Sequence, residues 1–207
     1  MKKNTLIVIL FLFGKITLSQ DYDTIIHTKI YDSYFSKKYR EPVILAYKLY
    51  HGGGDCSRSK YSFTNDIKEI TTATTADYSH SGYDKGHLAN AEDFAYNCEE
   101  DELTFRYYNC VPQTPELNRG IWKSYETKIR NESQKDSLYI ICYNTFGEKM
   151  IGKSKVPDKC YKFVYSLSKK KFIYSFYCTN DNAPVLVNIS KKEISKNFEW
   201  LYAIVKH

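Results

Sequence analysis

The residues of this 207-residue chain most able to do chemistry lie between Asp84 and Arg130. In order they are Asp84-Lys85-Gly86-His87, Asn109, Pro112-Gln113, Asn118, Glu126 and Arg130. A histidine supplies a base whose unperturbed pKa, ~6.5, lies near working pH. An asparagine amide oxygen is a hard, neutral ligand, suited to Mg2+ held mainly by water and substrate. A glutamate can accept hydrogen bonds from waters on such an ion. Lysine and arginine place positive charge where a phosphate would sit. A base, a hard ligand and several cations together suit hydrolysis of a phosphodiester. The other histidines, His27, His51, His80 and His207, stand outside any such pattern.

These groups need a helix and a tight approach to it. The helix is expected to start at Thr114, a good N-cap, with Pro115 in the first turn, where its missing N–H is harmless. Leu117, Ile121, Tyr125 and Ile129 recur at i+4 and form a core-facing stripe. Asn118, Trp122, Glu126 and Arg130 form the neighbouring stripe, which puts an amide, a carboxylate and a guanidinium on one side of the helix. Taken alone, such a row also fits a surface ladder with a Glu126–Arg130 pair. Gly86 reads as the residue that permits a tight turn ahead of His87.

Around this segment the chain reads as mixed strands and few long helices, an α+β domain. Pro42 to Tyr50, Phe105 to Val111, Leu138 to Tyr143, Tyr161 to Leu167, Lys171 to Cys178 and Val185 to Ile189 are apolar, aromatic or β-branched runs expected as strands. Ser168-Lys169-Lys170 suggests a hairpin turn. Residues 20–40 are polar and tyrosine-rich, and read as an irregular arm. Thr71 to Asp77 reads as a loop or short helix. His51-Gly52-Gly53-Gly54-Asp55 must be a loop; an acyl-transfer reading of it would need a Gly-x-Ser-x-Gly elbow, which the chain lacks. Ser190 to Tyr202 is expected as a closing helix, with Ser190 and Glu193 as a capping box.

The N-terminus has the features of a secretory signal. Lys2 and Lys3 precede the apolar run Leu6 to Phe13, and Thr17 and Ser19 suit a cut after Ser19. This leaves residues 20–207 as one domain, with no membrane-spanning segment after removal of residues 1–19. Export makes disulfides the expected fate of the six cysteines, and no C-x-x-C pair suggests a metal or redox site. The formal charge of +6 falls to +3 without residues 1–19, with 27 basic against 24 acidic residues. Residues 149–207 carry a balance of +8 and residues 20–148 one of −5. The basic third suits a polyanion, and suits a solvated lysine-rich face equally well.

The ordered set resembles the DNA/RNA non-specific endonuclease family of the ββα-metal superfamily, which includes secreted bacterial nucleases and mitochondrial endonuclease G. The family's Asp-Arg-Gly-His stretch appears here as Asp84-Lys85-Gly86-His87. Asn109 with Pro112-Gln113 follows, then Asn118-Arg119-Gly120 and Glu126. Arg58, Phe63 and Asp66 upstream and Val156-Pro157 downstream also fit, so the resemblance spans roughly residues 42–205. It implies a ββα-metal fold, with a central, mostly antiparallel sheet flanked by helices. It implies His87 as general base, Asn118 as the direct ligand of Mg2+ (Mn2+ as a substitute) and Glu126 beside the metal waters. Arg58 and Lys85 would face phosphate, Arg130 would face phosphate or orient Glu126, and Asn109 and Asp84 would position the site. Lys85 departs from the usual arginine and cannot form its two-pronged contact. The implied activity is endonucleolytic cleavage of DNA and RNA that leaves 5′-phosphate ends. A nucleic-acid-binding homologue with weak or lost catalysis is the alternative that Lys85 and the acidic run Glu99 to Glu102 bring to mind. A homodimer is compatible with the resemblance, and no residue signals an inhibitor protein.

Overall fold

The computed structural model describes residues 22–206. The proposed leader, residues 1–19, lies outside them. Nine strands are present among the described residues: β1 (Thr24–His27), β2 (Tyr31–Ser36), β3 (Glu41–Leu49), β4 (Asp84–His87), β5 (Cys110–Gln113), β6 (Leu138–Ile151), β7 (Ser154–Ser166), β8 (Lys171–Thr179) and β9 (Leu186–Asn188). Seven of them form one sheet in the order β1-β2-β3-β6-β7-β8-β9, antiparallel at every pairing. β4 and β5 form a separate antiparallel ribbon. The helices are α1 (Thr75–Tyr78), α2 (Cys98–Leu103), α3 (Lys123–Ser133), α4 (Lys191–Asn197) and α5 (Leu201–Val205). No helix among the described residues is long and apolar enough to cross a membrane.

Strand alternation sends side chains of the large sheet to two faces. On one face Leu45, Tyr47, Ile140, Cys142, Cys160, Val164 and Phe176 pack with Leu117, Trp122 and Ile129 of the helical segment. On the other, Ile44, Ala46, Ile141, Tyr161 and Phe163 pack with Ile194, Leu201 and Ile204 of α4 and α5. β3 and β6 are neighbours in the sheet, yet residues 50–137 intervene between them. That excursion carries the β4–β5 ribbon, α2 and α3, and with them nearly all the chemistry-bearing residues.

Several expectations need correction. Residues 24–36 are not an irregular arm but an edge hairpin, β1 with β2. Tyrosine hides its ring while its hydroxyl finds a partner, and Tyr31 does this by donating to the Leu103 carbonyl at 3.0 Å. Phe105 to Val111 is not one strand: a 3-10 turn at Tyr107–Asn109 precedes β5. Asn109 there spends its side chain on nearby backbone, which competes with an extended ladder. Thr114 does cap the helix, its hydroxyl accepting from Leu117 N at 3.3 Å. The helix is not uniform, however. Leu117–Trp122 has π spacing with a kink at Gly120 (φ −100°, ψ −107°) before α3 begins. Trp122 is consequently buried in the core rather than displayed beside Asn118. Ser190 and Glu193 form the capping box, but the closing helix breaks at Phe198 into α4 and α5. Of six cysteines, Cys56 and Cys98 form a disulfide; Cys110, Cys142, Cys160 and Cys178 are buried free thiols.

Candidate active site

His87 ends β4, and everything around it restrains its backbone. Gly86 pairs with Val111 and His87 with Cys110 across the ribbon. Gly86 is needed here for space rather than for a turn, since a Cβ would meet the Gln113 amide at 2.2 Å. Beyond the strand, Asn109 clamps the chain. Its Oδ1 accepts from Ala89 N at 2.9 Å, and its Nδ2 donates to the carbonyls of Ala89 and Thr104 at 3.0 and 2.7 Å. The Trp122 indole N–H donates to the His87 carbonyl at 3.3 Å, which ties the ribbon to the helix. The imidazole sits between Phe63 and Phe105, with ring centroids 4.8 and 4.9 Å away. Burial, and then the Arg58 charge, push its pKa down to about 3. Its Nε2 is buried with no hydrogen-bond partner. Both causes favour the neutral imidazole.

Asn118 precedes the kink. Its Nδ2 donates to Asp84 Oδ2 at 2.9 Å, and this contact to a carboxylate fixes which end of the amide is nitrogen. The amide oxygen faces no protein donor among the described residues. Asp84 is itself gripped by Arg119, Nε to Oδ2 at 2.8 Å and an NH2 nitrogen to Oδ1 at 2.6 Å. Burial works against the Asp84 charge, yet the hydrogen bonds from Arg119 and Asn118 hold its pKa below the ordinary value. Asp84 thus orients the amide of Asn118 in addition to closing the ribbon.

Glu126 is buried on α3. Its Oε2 accepts from Asn90 Nδ2 at 2.5 Å, while Oε1 has no hydrogen bond. Burial pushes its pKa up to about 7 against the pull of Lys162, whose Nζ lies 3.5 Å from Oε1. Arg130 does not pair directly with Glu126 as a surface ladder would. It bonds Asp93 Oδ1 through Nε at 2.9 Å, Glu92 Oε2 at 2.9 Å and Asn90 Oδ1 at 3.2 Å, so Asn90 links the two side chains. Glu92 also holds the exposed Arg58 at 3.0 Å.

Arg58, His87, Asn118, Glu126 and Arg130, five of the seven proposed site residues, line one cleft of about 310 Å³ with Asn90, Glu92, Arg119 and Lys123. Lys85 does not line it: its Nζ lies over the rings of Tyr78 and Phe63, 5.3 and 5.8 Å from their centroids. Asn109 lies behind it, fully buried. A larger hollow of about 630 Å³ borders β2, β3 and α5, but no histidine lines it. Sequence reasoning missed Asn90, Glu92 and Arg119. Asn90 and Glu92 follow His87 by three and five residues, and Arg119 sits beside Asn118, so proximity along the chain was the available signal.

The amide oxygen of Asn118, fixed by Asp84 and free of protein donors, fits a hard divalent ion held largely through water, and the Glu126 carboxylate lines the same cleft. No group of three His, Cys, Asp or Glu side chains among the described residues could hold one more tightly.

Comparison with known proteins finds nucleases. A segment of 97 residues is 38% identical to a nuclease of Nostoc sp., covering 45% of this chain and 35% of the relative. Another of 91 residues is 34% identical to the mitochondrial endonuclease G of Bos taurus, covering 43% and 30%. The chain thus matches about a third of the length of these curated relatives. A crystal structure of an EndoG/EndoGI complex shares the fold, with a TM-score of 0.73 at 20% identity over 86% of this chain and 84% of that one. The family model for DNA/RNA non-specific endonucleases matches residues 13–206. With that match running over nearly its whole length, the chain belongs to the DNA/RNA non-specific endonuclease family.

Proposed function

We propose that this chain is an exported endonuclease that hydrolyses phosphodiester bonds of DNA and RNA with little sequence preference and requires Mg2+, with Mn2+ as a substitute. The observation that carries the reading is the shared cleft: a neutral imidazole and a pre-oriented amide oxygen line one hollow together with Arg58, Glu126 and Arg130.

His87 acts as the base that takes a proton from the attacking water. Its low pKa keeps it unprotonated but makes it a weak acceptor. A phosphate bound beside Arg58 would offset the second cause of that depression and raise its basicity when substrate arrives. Asn118 Oδ1 would hold the ion, with Glu126 orienting its waters. When bound, Mg2+ would supply electrostatic stabilisation of the charge that builds on the phosphate oxygens and on the leaving 3′-oxygen. Arg58, Arg119 and Lys123 present cations at the cleft for flanking phosphates. Phosphate contacts carry no base identity, so weak sequence preference follows, and 5′-phosphate ends are the expected products. The Cys56–Cys98 disulfide supports an oxidising, extracytoplasmic location.

The test is plasmid nicking by protein comprising residues 20–207, with Mg2+ and with EDTA. Activity that needs the ion and falls ~10²–10⁴-fold in His87→Ala is the expected result. Salt-sensitive DNA binding without turnover in Mg2+, Mn2+ or Ca2+ would identify a binding protein instead.

A further inference from the structure

β7 carries an anomaly. Cys160, Lys162 and Val164 alternate along its core-facing side, and Lys162 takes a place where the pattern calls for an apolar residue. In register it lies between Cys142 of β6 and Phe176 of β8, in the interior of the large sheet. It is 1% exposed. An unpaired ammonium at such a depth is strongly disfavoured, so its surroundings must repay the loss of water.

Those surroundings belong to the cleft. Nζ lies 3.5 Å from Glu126 Oε1 and 4.3 Å from the centroid of the Trp122 ring. Asp93 contributes a second negative charge nearby, itself bonded by Arg130 at 2.9 Å and by the Tyr47 hydroxyl at 3.0 Å. Burial opposes the Lys162 charge, while Cys142, Glu126 and Asp93 favour it and hold its pKa above the ordinary lysine value. Burial pushes the Cys142 thiol up to about 11, which leaves Glu126 and Asp93 as the carboxylates that face the Lys162 charge. Neither Nζ nor Oε1 has a hydrogen bond.

We propose that Lys162 is a positioning residue of the nuclease site: held against the Trp122 indole, its ammonium anchors the buried Oε1 of Glu126 and so sets how that carboxylate stands in the wall of the cleft. Lys162 does not line the cleft and is placed to act on Glu126 from beneath. Asn90 grips the other carboxylate oxygen, so the two contacts fix the group from opposite ends. This inference rests on the role given to Glu126 above.

The test compares Lys162→Met, Glu126→Gln and the double variant by steady-state cleavage of an oligonucleotide and by urea unfolding. Lys162→Met is expected to lower kcat at least 10-fold with KM within 3-fold. The double variant is expected to be no slower than Glu126→Gln alone, because the lysine acts through the carboxylate. Its urea midpoint is expected to exceed that of Lys162→Met, since no buried charge is then left without its counter-ion. Losses of kcat that multiply in the double variant would overturn the proposal. So would an unchanged kcat in Lys162→Met. Should Lys162→Met not fold, the comparison of the double variant with Glu126→Gln decides the matter by itself. A wild-type protein that cleaves nothing would refute the nuclease reading, while the urea midpoints would still report whether the pair is coupled.

Discussion

Replacing His87 by glutamine should change how folding depends on pH, not only remove activity. An ordinary histidine in the unfolded chain titrates near ~6.5. In the folded protein burial and Arg58 push His87 down to about 3. Above pH ~6.5 both states are neutral, and the group adds no pH dependence. Below that the unfolded chain binds a proton that the folded chain refuses, so stability is lost as pH falls. At pH 5 the loss is about 2 kcal/mol, set almost entirely by the distance from pH 5 to the unfolded pKa. Urea unfolding at pH 7 and pH 5 measures it. Wild type should lose about 2 kcal/mol more between the two than His87→Gln, for which this term vanishes. Taking the difference between the two proteins removes the opposing contribution of Glu126, whose raised pKa adds stability on acidification. Equal losses in the two proteins would show that the imidazole titrates normally, and would undo the argument that it rests as a neutral base.

Two further outcomes follow from contacts in the site. Asp84→Asn removes the carboxylate that orients the Asn118 amide and grips Arg119. The Mg2+ concentration for half-maximal rate should rise ~10–100-fold, and an unchanged requirement would separate Asp84 from metal binding. The Cys56–Cys98 disulfide closes a sequence separation of 42 and anchors the loop that carries Arg58. Cys56→Ser with Cys98→Ser should lower stability by up to about 4 kcal/mol and weaken DNA binding, read by thermal melts and titration. An unaltered melt would mean that contacts of residues 51–56 with Ala95 and Ser133 hold the loop without the bridge.

Much of the site was legible because its residues are close in sequence and of rare combined chemistry. His87, Asn118, Glu126 and Arg130 fall within 44 residues, and Thr114-Pro115 announces the helix that carries three of them. What could not be read was where each side chain would end. Lys85, two residues from His87 and so on the same strand face, stops short of the cleft, its Nζ held over the rings of Tyr78 and Phe63. Trp122 shares the i+4 row of Asn118 and Glu126 but is buried, because the kink at Gly120 breaks the regular period on which a stripe depends. The edge hairpin β1–β2 looked irregular because tyrosine counts as polar in a pattern while packing as an aromatic ring.

The sequence by itself determined the candidate site residues, the helix cap, most strands of the large sheet and the family. Each of these depends on residue type and on spacing along the chain. Only the tertiary structure decided which cysteines join, that Asn90 connects Glu126 to Arg130, and that Lys162 lies beneath Glu126. Those relations link segments 36 to 42 residues apart, brought together by the return of the chain from the excursion between β3 and β6 into the sheet. A local pattern carries no record of such distances. They are fixed by which faces the core buries together, and by the need of each buried charge for a counter-charge.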